Sequence, residues 1–200
     1  MKRLAYLFAC SLFFTACASN EKMILVMSKG KANIDENAKT ITIDADGSGH
    51  EEKQFLISSK EAVSLTITDG TNKSQVSVDA NGLYIVNTKK DTIVGSYQNY
   101  NAPKETQTVI TQESMQQRID SLEQLILGKN INATNRNYYL LPNTATKISD
   151  NITAEVVGPF RKMTSTVQVG DKAPEVYRFY TVGEIREIIE KAKKVKEGKK

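Results

Sequence analysis

Residues able to do chemistry are sparse in this chain of 200 residues, and the densest group is Asp44-Ala45-Asp46-Gly47-Ser48-Gly49-His50. Set against the calcium-loop pattern D-x-[DN]-x-[DN]-G-x5-E, Asp44, Asp46 and Ser48 offer oxygens at the first three ligand positions, and Gly49 falls on the glycine of the sharp turn. The twelfth position, which should be a bidentate Glu, is Phe55, and the flanking residues read as strands. The segment therefore reads as a Gly-rich loop whose carboxylates face water. No metal site is assigned, with Asp44, Asp46 and Ser48 as the calcium candidates. His50 is the single histidine. One imidazole gives zinc one ligand at most, and residues two apart in a loop do not form a nucleophile, base and orienting group. No G-x-S-x-G, phosphate-loop, G-x-G-x-x-G or H-E-x-x-H motif occurs. No catalytic residue is assigned; the expectation is no enzyme and no cofactor.

The second group is electrostatic. Lys191, Lys193, Lys194, Lys196, Lys199 and Lys200 stand against one acid, Glu197, over the last ten residues. Such a run attracts anionic lipid head groups, cell-wall polymer or an acidic partner, and it also complements a helix C-terminus. A third group is aromatic: Tyr97, Tyr100, Tyr138, Tyr139, Tyr177 and Tyr180. Tyrosines can line a contact surface, but with no Trp in the chain plain packing is the better reading.

The residue with the clearest role is Cys17. Lys2 and Arg3 form a basic start, Leu4 to Phe14 an apolar stretch, and Thr15-Ala16 put small residues before the cysteine. Phe14-Thr15-Ala16-Cys17 resembles the lipobox of bacterial lipoproteins. That resemblance implies cleavage before Cys17 and a covalent lipid on it. Residues 1–16 are then a signal peptide, and eleven apolar residues are too few for a bilayer that needs about 20. No later segment approaches a membrane span, so the lipid would be the only anchor. Ala18 is not the Asp that retains lipoproteins at the inner membrane, so the resemblance implies the outer membrane. Cys10 leaves with the leader, and the mature chain then holds no free thiol and no disulfide. The leader carries two cations and no anions, so net charge falls from +4 to +2. Nucleic acid is not expected as a partner of an exported chain.

The elements behind the anchor follow from periodicity. Residues 17–31 are a tether with a possible first strand at Met23–Met27. Residues 32–100 alternate with period two at Thr40–Ile43, Val63–Thr68, Gln75–Val78 and Leu83–Val86, punctuated by Asp69-Gly70-Thr71-Asn72 and the hairpin dipeptide Asn81-Gly82. This predicts an antiparallel β-sandwich-like domain. Residues 101–113 read as a linker. Residues 114–128 predict a helix, with Ser114 and Gln117 as a capping box and Gly128 at C′. Residues 129–200 predict a small α+β unit. Its strands fall near Tyr138–Leu141, Thr153–Val157, Thr166–Val169 and Val176–Tyr180, and Thr181…Glu184 caps the final basic helix. The fold class is mainly β with an α+β C-terminal part. The expected function is a lipid-anchored envelope protein: a non-enzymatic binding or assembly component with a protein partner. The alternative is an accessory protein for glycan or cell-wall polymer.

Overall fold

In the computed structural model, residues 20–44, 47, 49–98, 111–132, 134–158 and 174–198 are described. The first half supplies β1 (Glu21–Lys29), β2 (Ala32–Asp35), β3 (Thr40–Ile43), β4 (His50–Ser58), β5 (Val63–Asp69), β6 (Asn72–Val78), β7 (Gly82–Asn87) and β8 (Ile93–Gln98). Then follow α1 (Gln112–Ile126), β9 (Asn137–Leu140), β10 (Thr144–Ser149), β11 (Glu155–Val157), β12 (Val176–Thr181) and α2 (Val182–Lys196). The β-rich α+β class stands.

Among the described residues, three four-stranded sheets and a helix pair stack as layers. The middle sheet has the order β10-β7-β1-β4, the outer sheet β2-β3-β5-β6, and the helix-backed sheet β11-β12-β8-β9. The reason for a middle layer is written in β1. Its run Met23-Ile24-Leu25-Val26-Met27 does not alternate, as befits a strand covered on both faces. Ile24 and Val26 pack toward the outer sheet with Ile41, Leu65 and Val78, whereas Leu25 and Met27 pack with Ile93, Tyr177 and Phe179 of the helix-backed sheet. All six residues of β7 are buried for the same reason. A third cluster joins Val94 to Ile119 and Leu125 of α1 and Ile185 and Ile189 of α2.

Each sheet holds one parallel pair, β1 with β7, β3 with β5 and β11 with β12, so the sheets are mixed and not purely antiparallel. Strands from both halves of the chain share sheets. β10 pairs with β7, and β9 and β12 flank β8. The segments 32–100 and 129–200 therefore interlock across the boundary at 101–113.

Local chemistry sets the turns. Gly70-Thr71 forms the two-residue hairpin loop between β5 and β6, with Gly70 at φ 57°. Asn81-Gly82, read as a hairpin, instead carries the chain from the outer to the middle sheet. Gly82 is required there because at φ 135° a Cβ would collide with the Ser149 carbonyl and the Lys147 side chain. The start of α1 also differs from expectation: Thr111 is the N-cap, and its side chain accepts from the Ser114 amide. α2 has the capping box expected at Thr181 and Glu184. Periodicity missed four strands, β2, β8, β10 and the longest of them, β4. β4 lies at a sheet edge, where its His50-Glu51-Glu52-Lys53 start keeps the edge charged.

Candidate functional site

One end of the stack brings together the polar side chains of several strands. At this end, called lower here because β1 begins there, Ser149 closes β10 opposite Leu83, and Val176 opens β12 opposite Gln98. The turn before β9 also arrives here. Its asparagines order it: the Asn132 side chain accepts from the Asn135 amide at 2.7 Å, and the Asn132 carbonyl from the Arg136 amide at 3.1 Å. Arg136 is thereby held at φ 50°, a left-handed conformation that non-glycine residues rarely take. Its carbonyl accepts from the Tyr97 amide at 3.1 Å, which joins the turn to β8.

This backbone posture lays the guanidinium over aromatic rings. Arg136 Cζ lies 3.8 Å from the Tyr97 ring centroid and 5.1 Å from that of Tyr177. Arg136 Nη2 donates to Glu175 Oε1 and to Tyr177 Oη. The same carboxylate oxygen accepts from Tyr177 Oη at 2.5 Å and from Ser149 Oγ at 2.9 Å. Tyr138 stacks edge-on to Tyr177 with centroids 5.7 Å apart and donates to the Ile148 carbonyl at 2.6 Å. Around this cluster opens a cavity of about 690 Å³, rimmed by Asn132, Asn137, Lys147, Asp150 and Asn151.

The electrostatics follow from the contacts. Burial alone would raise the Glu175 carboxyl. The hydrogen bonds from Tyr177, Ser149 and Asn151 and the charge of Arg136 outweigh it, and its pKa falls below the ordinary value. Burial, reinforced by the Glu175 carboxylate, pushes the Tyr177 phenol above its usual range. Burial also raises Tyr138. The group is thus an ionised carboxylate, a cation and neutral phenols at neutral pH.

No known protein family, curated protein or solved structure matches this chain. The residues themselves carry the reading.

Of the residues singled out by sequence, the structure brings Tyr97, Tyr138 and Tyr177 together in this cluster. It places Tyr139 and Tyr180 under the helices instead. Tyr177 is 1% exposed, so it is packing and a hydrogen-bonding wall rather than an open platform. Asp44 and His50 sit at the opposite, upper end. Asp44 Oδ1 is within 3.4 Å of Asn33 Nδ2, and the loop is closed by backbone bonds from Gly30 to Gly49, from Asp44 to Lys31 and from Gly47 to Asp44. Gly47 is there because a Cβ would lie 2.5 Å from Gly30 Cα. Among the described residues no three His, Cys, Asp or Glu side chains converge as metal ligands. Three of the basic-end lysines make contacts within the fold: Lys193 pairs with Glu123 at 2.8 Å, Lys196 donates to Gln116 Oε1, and Lys191 pairs with Glu187 at 3.8 Å. Lys194 is exposed. Cys17, Asp46, Ser48, Tyr100, Lys199, Lys200 and the strand expected at 166–169 lie outside the described residues.

Sequence reasoning missed Arg136, Glu175 and Ser149. Four asparagines within 130–137 were the available signal of an ordered polar turn. Nothing local ties that turn to Glu175, which lies 39 residues further on.

Proposed function

We propose that this chain is a lipid-anchored envelope protein, held at the outer membrane through Cys17, that acts as a non-enzymatic binding or assembly component. Its recognition site is the cavity around Arg136. The observation that carries this reading is the saturation of Glu175 Oε1 by Arg136, Ser149 and Tyr177. General acid–base work needs a group that titrates near the working pH. Here the carboxylate is driven down and the phenol up, so neither exchanges a proton near neutrality. What the arrangement supplies is a fixed wall of donors and acceptors, which suits recognition.

The rim supports the glycan reading as the second one. Asn132 and Asn137 each have one side-chain polar atom tied within the fold, to the Asn135 amide and the Asn130 carbonyl. This leaves a donor on the first and an acceptor on the second at the rim, a mixed pattern that suits hydroxyl-rich ligands. A photo-reactive residue at Asp150, with the exposed Thr71 turn as control, separates the readings in intact cells. One discrete protein-sized adduct at Asp150 supports assembly, and co-migration with insoluble cell wall supports glycan. Equal labelling from both positions would remove the cavity from the function.

A further inference from the structure

The position of the cavity relative to the tether carries an inference that rests on the anchor reading above. β1 starts at Glu21, four residue steps along the chain from Cys17. An extended chain spans at most about 3.6 Å per residue, so an acylated Cys17 holds the start of β1 within about 14 Å of the lipid. The neighbours of that start are set by register. Lys22 pairs with Gly82 of β7, and Ser149 of β10 pairs with Leu83, the next residue of β7. Two strand spacings make about 10 Å. The Lys147 side chain and the Ser149 carbonyl lie directly over Gly82. The rim residues Lys147, Asp150 and Asn151 therefore share the lower end with the tether.

The end of α2 arrives at the same place by a separate route. The Val182 amide donates to the Thr92 carbonyl at the upper end of β8, so the helix starts there. To bury Ile185 and Ile189 it runs back along the sheet, and Ala192 lines one groove with Gln98, the last residue of β8. Fifteen residues make about 22 Å of helix, enough to carry Lys193, Lys194 and Lys196 to the lower end. α1 holds that turn in place through the contacts of Lys193 and Lys196. The exposed Lys60 follows β4 at this end too, since Ser58 pairs with Glu21.

We propose that the lower end is the face this protein lays against the head groups of the bilayer that holds its own anchor. The Arg136 cavity then opens at the membrane surface, and its ligand is met there. The opposite end, with the Gly70-Thr71 hairpin and Lys90, points away by roughly the length of β1. Nine residues at about 3.3 Å make that about 30 Å.

The test uses the full lipidated protein in phospholipid vesicles. An acylated Cys17 leaves no thiol to interfere, so single-cysteine variants Asp150→Cys, Lys194→Cys, Thr71→Cys and Lys90→Cys can each carry a fluorophore. Phospholipid spin-labelled on its head group is the quencher. The expected result is quenching several-fold stronger at positions 150 and 194 than at 71 and 90. Equal or inverted quenching in protein that floats with the vesicles would overturn the orientation and leave the anchor standing. Failure of the unsubstituted lipidated protein to float would sink the anchor, and this proposal with it.

Discussion

Arg136 and Tyr97 hold each other twice. The Tyr97 amide donates to the Arg136 carbonyl, and the Arg136 guanidinium rests 3.8 Å from the Tyr97 ring centroid. A residue in a left-handed conformation is thus fixed by a strand on one side and by an ion pair with Glu175 on the other.

The first prediction separates these terms. Lys cannot reproduce the fork that meets both Glu175 and Tyr177, so Arg136→Lys should cost about 1–2 kcal/mol in denaturant unfolding. Tyr97→Phe keeps the ring and should be near neutral, whereas Tyr97→Leu should cost about 0.5–1 kcal/mol more. A double-mutant cycle of Arg136→Lys with Glu175→Gln should show coupling above about 0.5 kcal/mol. Strict additivity would mean that Glu175 does not distinguish the guanidinium fork from an ammonium.

The second concerns pH. The folded Glu175 carboxyl titrates below its ordinary value of 4.5, so in that window the unfolded chain binds more protons. Its contribution is complete above that value and is lost as pH falls through the folded pKa. The melting temperature of Glu175→Gln should therefore fall less than that of the parent between about pH 5 and pH 3. Parallel curves would remove Glu175 from the acid response.

The third tests how the helix-backed sheet packs. Gly95 faces Phe179 across β8 and β12, and a Cβ there would strike the Phe179 ring. Gly95→Ala should cost about 1–3 kcal/mol by overpacking. In a Phe179→Leu background the added penalty should shrink. An equal penalty in both backgrounds would place the strain elsewhere.

The fourth addresses the Asp44–His50 loop. Its glycine at 47 answers to Gly30, so millimolar calcium should leave the melting temperature unchanged while Gly47→Ala lowers it. A calcium-dependent rise in melting temperature would reinstate Asp44, Asp46 and Ser48 as ligands.

The fifth tests the anchor. Cys17→Ser should remove the acyl label and leave the precursor uncleaved, read by metabolic lipid labelling and by mass. Normal acylation and membrane pelleting of that variant would end the lipoprotein proposal.

Much of the fold was legible where a signal is local. The Thr181 and Glu184 capping box, the glycine after α1 and the two-residue hairpin at Gly70-Thr71 each depend on residues within one turn, and each stands in the structure. The apolar run at Met23–Met27 was legible as a first strand, but that it and Leu83–Val86, read as alternating, are covered on both faces came only from the layering. Partnership was not legible. Asn81-Gly82 looks like a hairpin because its local chemistry suits one. The competing demand, a close passage beneath Ser149 and Lys147, comes from a strand more than sixty residues away.

By itself the sequence determined the β-rich class and the cap of the final helix, because period and capping act over a few residues. Only the tertiary structure decided that both halves share sheets, that three tyrosines wrap one arginine, and that Glu175 and Ser149 complete its surroundings. Those contacts join residues 26 to 41 positions apart, and side chains brought together by register and layering leave no trace in local spacing.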